Sequence, residues 1–231
     1  MNKAIFITGT DTGIGKSVVT GLLARYLLES GCNVITQKWI QTGSRGFSED
    51  IKTHLKMMGK DKAYIGDYLE SICPYSFKLA CSPHLAAQSE GRKINPGKIK
   101  NDFRLLSDSF EFVLVEGVGG ALVPFNQKRL VIDIAKDLRL PILIVVGNKL
   151  GAINHSLLTI EALRARRLKI LGLVFNNFPR QNQRVLEDNQ RIIESMAREE
   201  VFGAFNRQTD YKKLYQDFKR IGEKICLRIN G

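Results

Sequence analysis

The stretch Ile5-Phe6-Ile7-Thr8-Gly9-Thr10-Asp11-Thr12-Gly13-Ile14-Gly15-Lys16-Ser17 decides how the rest of the chain is read. A short apolar run meets a turn rich in glycine and threonine, and Gly15-Lys16-Ser17 opens a helical pattern. Strand, turn of backbone N–H groups and helix N-terminus together form a site suited to a polyphosphate. On this reading Thr12, Gly13, Ile14, Gly15 and Val18 wrap the phosphates. Lys16 reaches the outer ones, and the Ser17 hydroxyl faces a magnesium ion. The spacing is a variant. The common pattern separates a first glycine from the Gly-Lys pair by four residues; that place falls on Thr10, and Gly9 lies one residue further back. The plainer alternative is a glycine-rich turn joining a strand to a helix. The readable strand before it and helix after it favour the phosphate loop.

Working outward, residues 4–7 form an apolar strand, and 17–28 carry helical spacing that Gly31 stops. Further strands are expected at 33–39, 112–116, 141–146 and 170–175, the last ending at Asn176-Asn177. Helices are expected at 49–58, 83–89, 96–107, 131–138, 152–167, 183–198 and 211–225. Residues 40–46 read as a polar loop, and 59–83 carry no clear period. Short strands alternating with longer helices predict an α/β fold: a mostly parallel sheet flanked by helices on both faces. No linker divides the chain, so residues 1–231 are expected to form a single domain. In such sheets the ligand site lies at the carboxyl ends of the strands.

Hydrophobic residues make up 44% and charged residues 25% of the chain, enough for a sizeable core. The net charge of +12 raises nucleic acid or a membrane surface as partners. The cations are scattered, however. Their densest run, Arg164-Ala165-Arg166-Arg167-Leu168-Lys169, falls at a helix end, where positive charge complements the dipole. It reads as a solvated helix end rather than a nucleic-acid patch, and a positive field also suits an anionic nucleotide. Cys32, Cys73, Cys81 and Cys226 make no Cys-x-x-Cys pair and read as buried free thiols in a reducing compartment. The early first strand leaves no room for a signal peptide, and the apolar run at 142–146 is too short for a bilayer. A cytoplasmic protein without stable membrane association is expected.

The strand ends supply the candidate chemistry. Glu116 follows four apolar residues and precedes Gly117-Val118-Gly119-Gly120. It reads as a solvent-facing strand end or as a magnesium ligand across from Ser17. The glycines, which let a substrate approach the backbone, favour the ligand. Asp50 reads equally as a second ligand or a helix cap. Lys38 reads as a solvated lysine or as a cation for phosphoryl transfer. The 151–154 helix start offers N–H groups suited to a carboxylate, or is only a turn and a cap. His54, His84 and His155 show no metal-ligand spacing.

The phosphate loop resembles the variant loop of the dethiobiotin synthetase family, within the P-loop nucleotide-hydrolase superfamily. Further matches follow in order: Lys38 with Thr42-Gly43, Pro74-Tyr75-Ser76-Phe77, Ser82-Pro83-His84, Val115 to Gly120, and Val146 to His155. The resemblance implies a cyclo-ligase of biotin synthesis. Such an enzyme joins 7,8-diaminopelargonic acid and carbon dioxide (or bicarbonate) into a cyclic urea, using MgATP. It implies Lys38 and Lys16 as the catalytic lysines and Ser17, Asp50 and Glu116 as magnesium ligands. Gly117, Val118, Asn176 and Asn177 would contact the nucleotide. Thr42 and Gly119 would contact the substrate. It also implies a homodimer, with Leu150, Gly151 and Asn154 of the neighbouring subunit holding the substrate carboxylate. Three places depart from the family: Gly13 replaces an acidic residue, Trp39 replaces proline, and Asn206 replaces the proline of a base-packing segment. Selectivity for adenine is therefore not implied. The rival is a partitioning or septum-site ATPase switch. Asp11 stands where such switches carry a second lysine, although the basic helix at 211–225 keeps the rival open.

Overall fold

A computed structural model describes residues 3–230. In chain order the elements are β1 (Lys3–Gly9), α1 (Lys16–Glu29), β2 (Val34–Lys38), β3 (Ile40–Gln41) and α2 (Glu49–Met58). A 3-10 segment, Lys62–Tyr68, leads to α3 (Leu69–Ile72), β4 (Tyr75–Ser76), α4 (Pro83–Ser89), α5 (Pro96–Ser109) and β5 (Phe112–Glu116). Then come α6 (Val131–Asp137), β6 (Ile142–Asn148), α7 (Ala152–Ala165), β7 (Ile170–Asn177), α8 (Gln183–Ala197), β8 (Val201–Asn206) and α9 (Tyr211–Asn230).

Six strands form one sheet in the order β2-β5-β1-β6-β7-β8, and every neighbouring pair is parallel. Successive side chains point to opposite faces, so the apolar strands feed two cores. Ile5, Ile7, Leu143 and Val145 face α1 and α9, packing with Leu22, Leu23, Phe218 and Ile225. Phe6, Val113, Ile142 and Ile144 face the other way, against Phe103, Leu163 and Ile193. Helices thus cover both faces, as the alternation predicted.

The differences lie where periodicity is weakest. Residues 40–46 are not all loop: β3 pairs with β4 in a two-stranded sheet, too short to leave a pattern. Within 59–83, one helical segment is 3-10 and another has four residues. β8 was not expected, because Gly203 interrupts its short run; that glycine takes a positive φ of 143° beside Ile221. Trp39, the replacement for proline, is a core anchor. Its ring lies 5.0 Å from Phe6, and its Nε1 donates to Gln37 Oε1 at 2.8 Å.

Candidate active site

Register explains why distant residues meet. β5 lies between β2 and β1, and Glu116 is the direct partner of Lys38 on one side and Ile7 on the other. The lysine and the glutamate therefore end adjacent strands side by side, next to the phosphate loop that follows β1. That loop bends through positive φ at Gly13 (71°) and Gly15 (99°). Gly15 also has no room for a side chain: a Cβ would lie 2.5 Å from Asn176 Nδ2. That amide donates to Ile14 O at 2.8 Å and ties the loop to β7. Lys16 folds back along the loop, with Nζ donating to Asp11 O at 2.7 Å.

The loop opens onto a cleft of about 290 Å³ lined by Thr12, Gly13, Gly15, Lys16, Ser17, Lys38, Gln41, Thr42, Asp50, Glu116, Val118 and Gly119. A larger cavity of about 600 Å³ between α4 and the 125–128 turn contains none of these residues. At the floor of the cleft Lys38 Nζ lies 2.7 Å from Asp50 Oδ2 and 2.9 Å from Glu116 Oε1, and donates to Gly117 O at 2.6 Å. Ser17 Oγ lies 3.0 Å from both Asp50 Oδ1 and Glu116 Oε1. Burial pushes Glu116 up, but Lys38 and the His54 hydrogen bond outweigh it and hold the carboxyl at about 2. Burial pulls Lys38 down, yet Glu116 and Asp50 raise it above its ordinary value, so it stays a cation. Lys16 is pushed down to about 8, by burial first and by the charge of Lys38 second.

Asp50 is not the helix cap. Ser48 caps α2, accepting from Ile51 N, while Asp50 turns inward. Gln41 sets this start: its Oε1 accepts from Ser48 Oγ at 2.6 Å and from Asp50 N at 3.2 Å. No motif marked Gln41, and only its place just past β2 hinted at it. His54 was also missed as a site residue. It is buried on α2, with Nε2 2.6 Å from Glu116 Oε2. Its signal was the four-residue spacing from Asp50, which puts both on one helix face.

The remaining candidates lie outside the cleft lining. Asn176 is the penultimate residue of β7, behind the loop, and its buried Oδ1 has no hydrogen-bond partner. Asn177 Oδ1 accepts from Asn148 Nδ2 at 2.8 Å, and its Nδ2 donates to Asn206 Oδ1 at 3.0 Å, so Asn206 belongs to a chain of amides along the strand ends. Val18 lies in the first turn of α1, and Gly117 serves Lys38 through its carbonyl. Leu150, Gly151 and Asn154 are exposed at the start of α7 and do not reach this cleft within one subunit.

Ser17, Asp50 and Glu116 present hydroxyl and carboxylate oxygens around one point, a hard-oxygen donor set that fits magnesium. Among the described residues no three His, Cys, Asp or Glu side chains group as an all-protein metal site.

Sheet, loop and converging carboxylates define a P-loop nucleotide-binding protein. Solved structures agree on the fold. The chain is similar to pNOB8 ParA, with a TM-score of 0.61 and 15% identity over 100% of this chain and 99% of that one. It is similar to the MinD cell division protein of Aquifex aeolicus, with a TM-score of 0.59 and 14% identity over 99% and 98%. At that identity the likeness concerns the fold alone. The AAA domain family model matches residues 3–213. The ATP-dependent dethiobiotin synthetase BioD 2 of Haemophilus influenzae is 42% identical over 78% of this chain and 93% of its own. The ATP-dependent dethiobiotin synthetase BioD of Chlorobaculum tepidum is 41% identical over 87% and 84%. The chain belongs to the dethiobiotin synthetase family.

Proposed function

We propose that this chain is an ATP-dependent, magnesium-dependent dethiobiotin synthetase. It closes a cyclic urea on 7,8-diaminopelargonic acid with carbon dioxide, releasing ADP and phosphate. Carbon dioxide adds to one amine as a carbamate. A carbamate oxygen attacks the γ-phosphorus of ATP and ADP leaves. The second amine then attacks the carbamoyl carbon of the mixed anhydride, the ring closes and phosphate departs.

The observation that carries this reading is the buried Lys38 ammonium, held between Asp50 and Glu116 in the same cleft as Lys16. A carbamate and a triphosphate repel each other. Two lysines and a row of loop amides offset that repulsion. Lys16 takes the β- and γ-phosphates, and Lys38 faces the carbamate and the phosphoryl group in transfer. Magnesium, held by Ser17, Asp50 and Glu116, neutralises phosphate charge when bound. Thr42 and Gly119 line the cleft on the substrate side. The unpaired Oδ1 of Asn176 suits the amino group of adenine. We place the substrate carboxylate on the α7 start of a partner subunit in a homodimer.

The switch reading is disfavoured by the C-terminal helix. The apolar face of α9, with Leu214, Phe218, Ile221 and Ile225, is already buried in the core and is not free to enter a membrane. Among the described residues no helix is long and apolar enough to cross one. The test is phosphate release with mass detection of dethiobiotin. Release should require both the diamine and bicarbonate; equal release without the diamine would remove the synthetase reading.

A further inference from the structure

His54 is a buried polar group behind the cleft, in contact with Glu116, that the proposed chemistry leaves without a task. Glu116 has two oxygens with different surroundings. Oε1 meets Lys38 Nζ at 2.9 Å and Ser17 Oγ at 3.0 Å, on the side of the cleft. Oε2 meets His54 Nε2 at 2.6 Å. An ionised carboxylate only accepts, so Nε2 carries the hydrogen and donates it. His54 Nδ1 is buried without a partner. The contact with Glu116 is therefore the polar contact that orients the ring. An apolar side chain would fill the same space without stranding a buried nitrogen, so packing alone does not account for a histidine here.

We infer that His54 is a positioning residue. It holds Oε2 and thereby fixes the rotamer that presents Oε1 to Ser17, Lys38 and the metal site. The backbone makes the contact possible. Gly21 on α1 lets α2 come close, since a Cβ there would lie 2.9 Å from His54 O and 3.0 Å from His54 Cα. Asp50 and His54, one turn apart on α2, thus set the two strand-end groups together: Asp50 holds Lys38 at 2.7 Å while His54 holds Glu116. Outer partners of this kind orient metal ligands elsewhere.

This inference rests on the reading of Glu116 as a magnesium ligand, and the experiment separates the two. His54→Asn withdraws the donor from Oε2, whereas His54→Gln carries an amide N–H to about the place of Nε2. For each variant we would measure kcat, the magnesium dependence of ATP binding by calorimetry without diamine, and the unfolding midpoint. His54→Asn should lower kcat and magnesium-dependent ATP affinity by about 10–100-fold. His54→Gln should restore most of both. Binding without magnesium should stay within about twofold, and in a Glu116→Gln background the effect of His54→Asn should largely disappear. Wild-type behaviour of His54→Asn, equal losses in Asn and Gln variants, or an undiminished loss in the Glu116→Gln background would each overturn the inference. Glu116→Gln that keeps normal turnover and magnesium dependence would instead remove the underlying reading of Glu116.

Discussion

Two lysines share one cleft, and their surroundings give them different work. Lys38 is clamped by two carboxylates and a carbonyl, so it is a fixed cation. Lys38→Ala should lower turnover by about 10²–10³-fold, the scale of losing one preorganised charge-stabilising group, while ATP affinity changes far less. Single-turnover phosphate release and equilibrium ATP binding check it; unchanged turnover would remove Lys38 from the chemistry. Lys16 is held at about 8 rather than 10.5, because it is buried beside Lys38. The free protein therefore loses this proton near pH 8, and a bound polyphosphate restores it. ATP affinity should fall as pH rises through 8, approaching about tenfold per unit, with proton uptake on binding. Calorimetry in two buffers of different ionisation enthalpy reads both; a flat profile would contradict the shift. The effect on stability has the opposite sign. Between about 8 and 10.5 the unfolded lysine keeps a proton that the folded one has lost, so this group adds stability as pH rises through that window.

At the scale of elements, the site depends on how closely two helices approach. Gly21 faces the α2 backbone, and a Cβ there would also lie 2.6 Å from Met57 Cβ. Backbone cannot swing aside as a flexible side chain can, so Gly21→Ala should separate α1 from α2 at a cost of about 1–3 kcal/mol. The same displacement would move Asp50 and His54 away from Lys38 and Glu116. Magnesium-dependent ATP binding should weaken along with the unfolding midpoint, and an alanine variant with normal values of both would show that the close approach is dispensable. This level was only partly legible in the sequence. Strand ends could be read one by one, because the short strand-like stretches that end at Lys38, Glu116 and Asn176 are local signals. The sheet order was not local. Nothing in the spacing says that β5 enters between β2 and β1 and so pairs Lys38 with Glu116. His54 failed as a metal candidate on spacing. Its actual role needs a neighbour 62 positions away, which no periodicity encodes. The Arg164–Lys169 run read correctly as a helix end: Arg164 pairs with Glu199 at 2.8 Å and Arg166 lies 3.7 Å from Asp133.

On the scale of the whole molecule, the proposed homodimer would complete the substrate site with the α7 start of a second copy. The α7 start that suits a carboxylate faces outward, with Leu150 88% exposed. Leu122 and Leu158 are 52% and 60% exposed, and they share one groove with His155 and Thr159. Exposed leucines beside a helix start are features that a face shared by two copies would show. A two-fold arrangement would bring each α7 start toward the opposite cleft and bury these leucines together. Leu158→Glu places a charge in that groove without touching Lys16, Lys38, Asp50 or Glu116. It should shift the sedimentation coefficient from dimer to monomer and raise the KM for the diamine strongly. ATP binding, built within one subunit, should persist. The ordering of these effects is the informative part. If the wild-type protein sediments as a monomer and still makes dethiobiotin at full rate, the shared-site arrangement fails, and the carboxylate must be held by residues of the same chain.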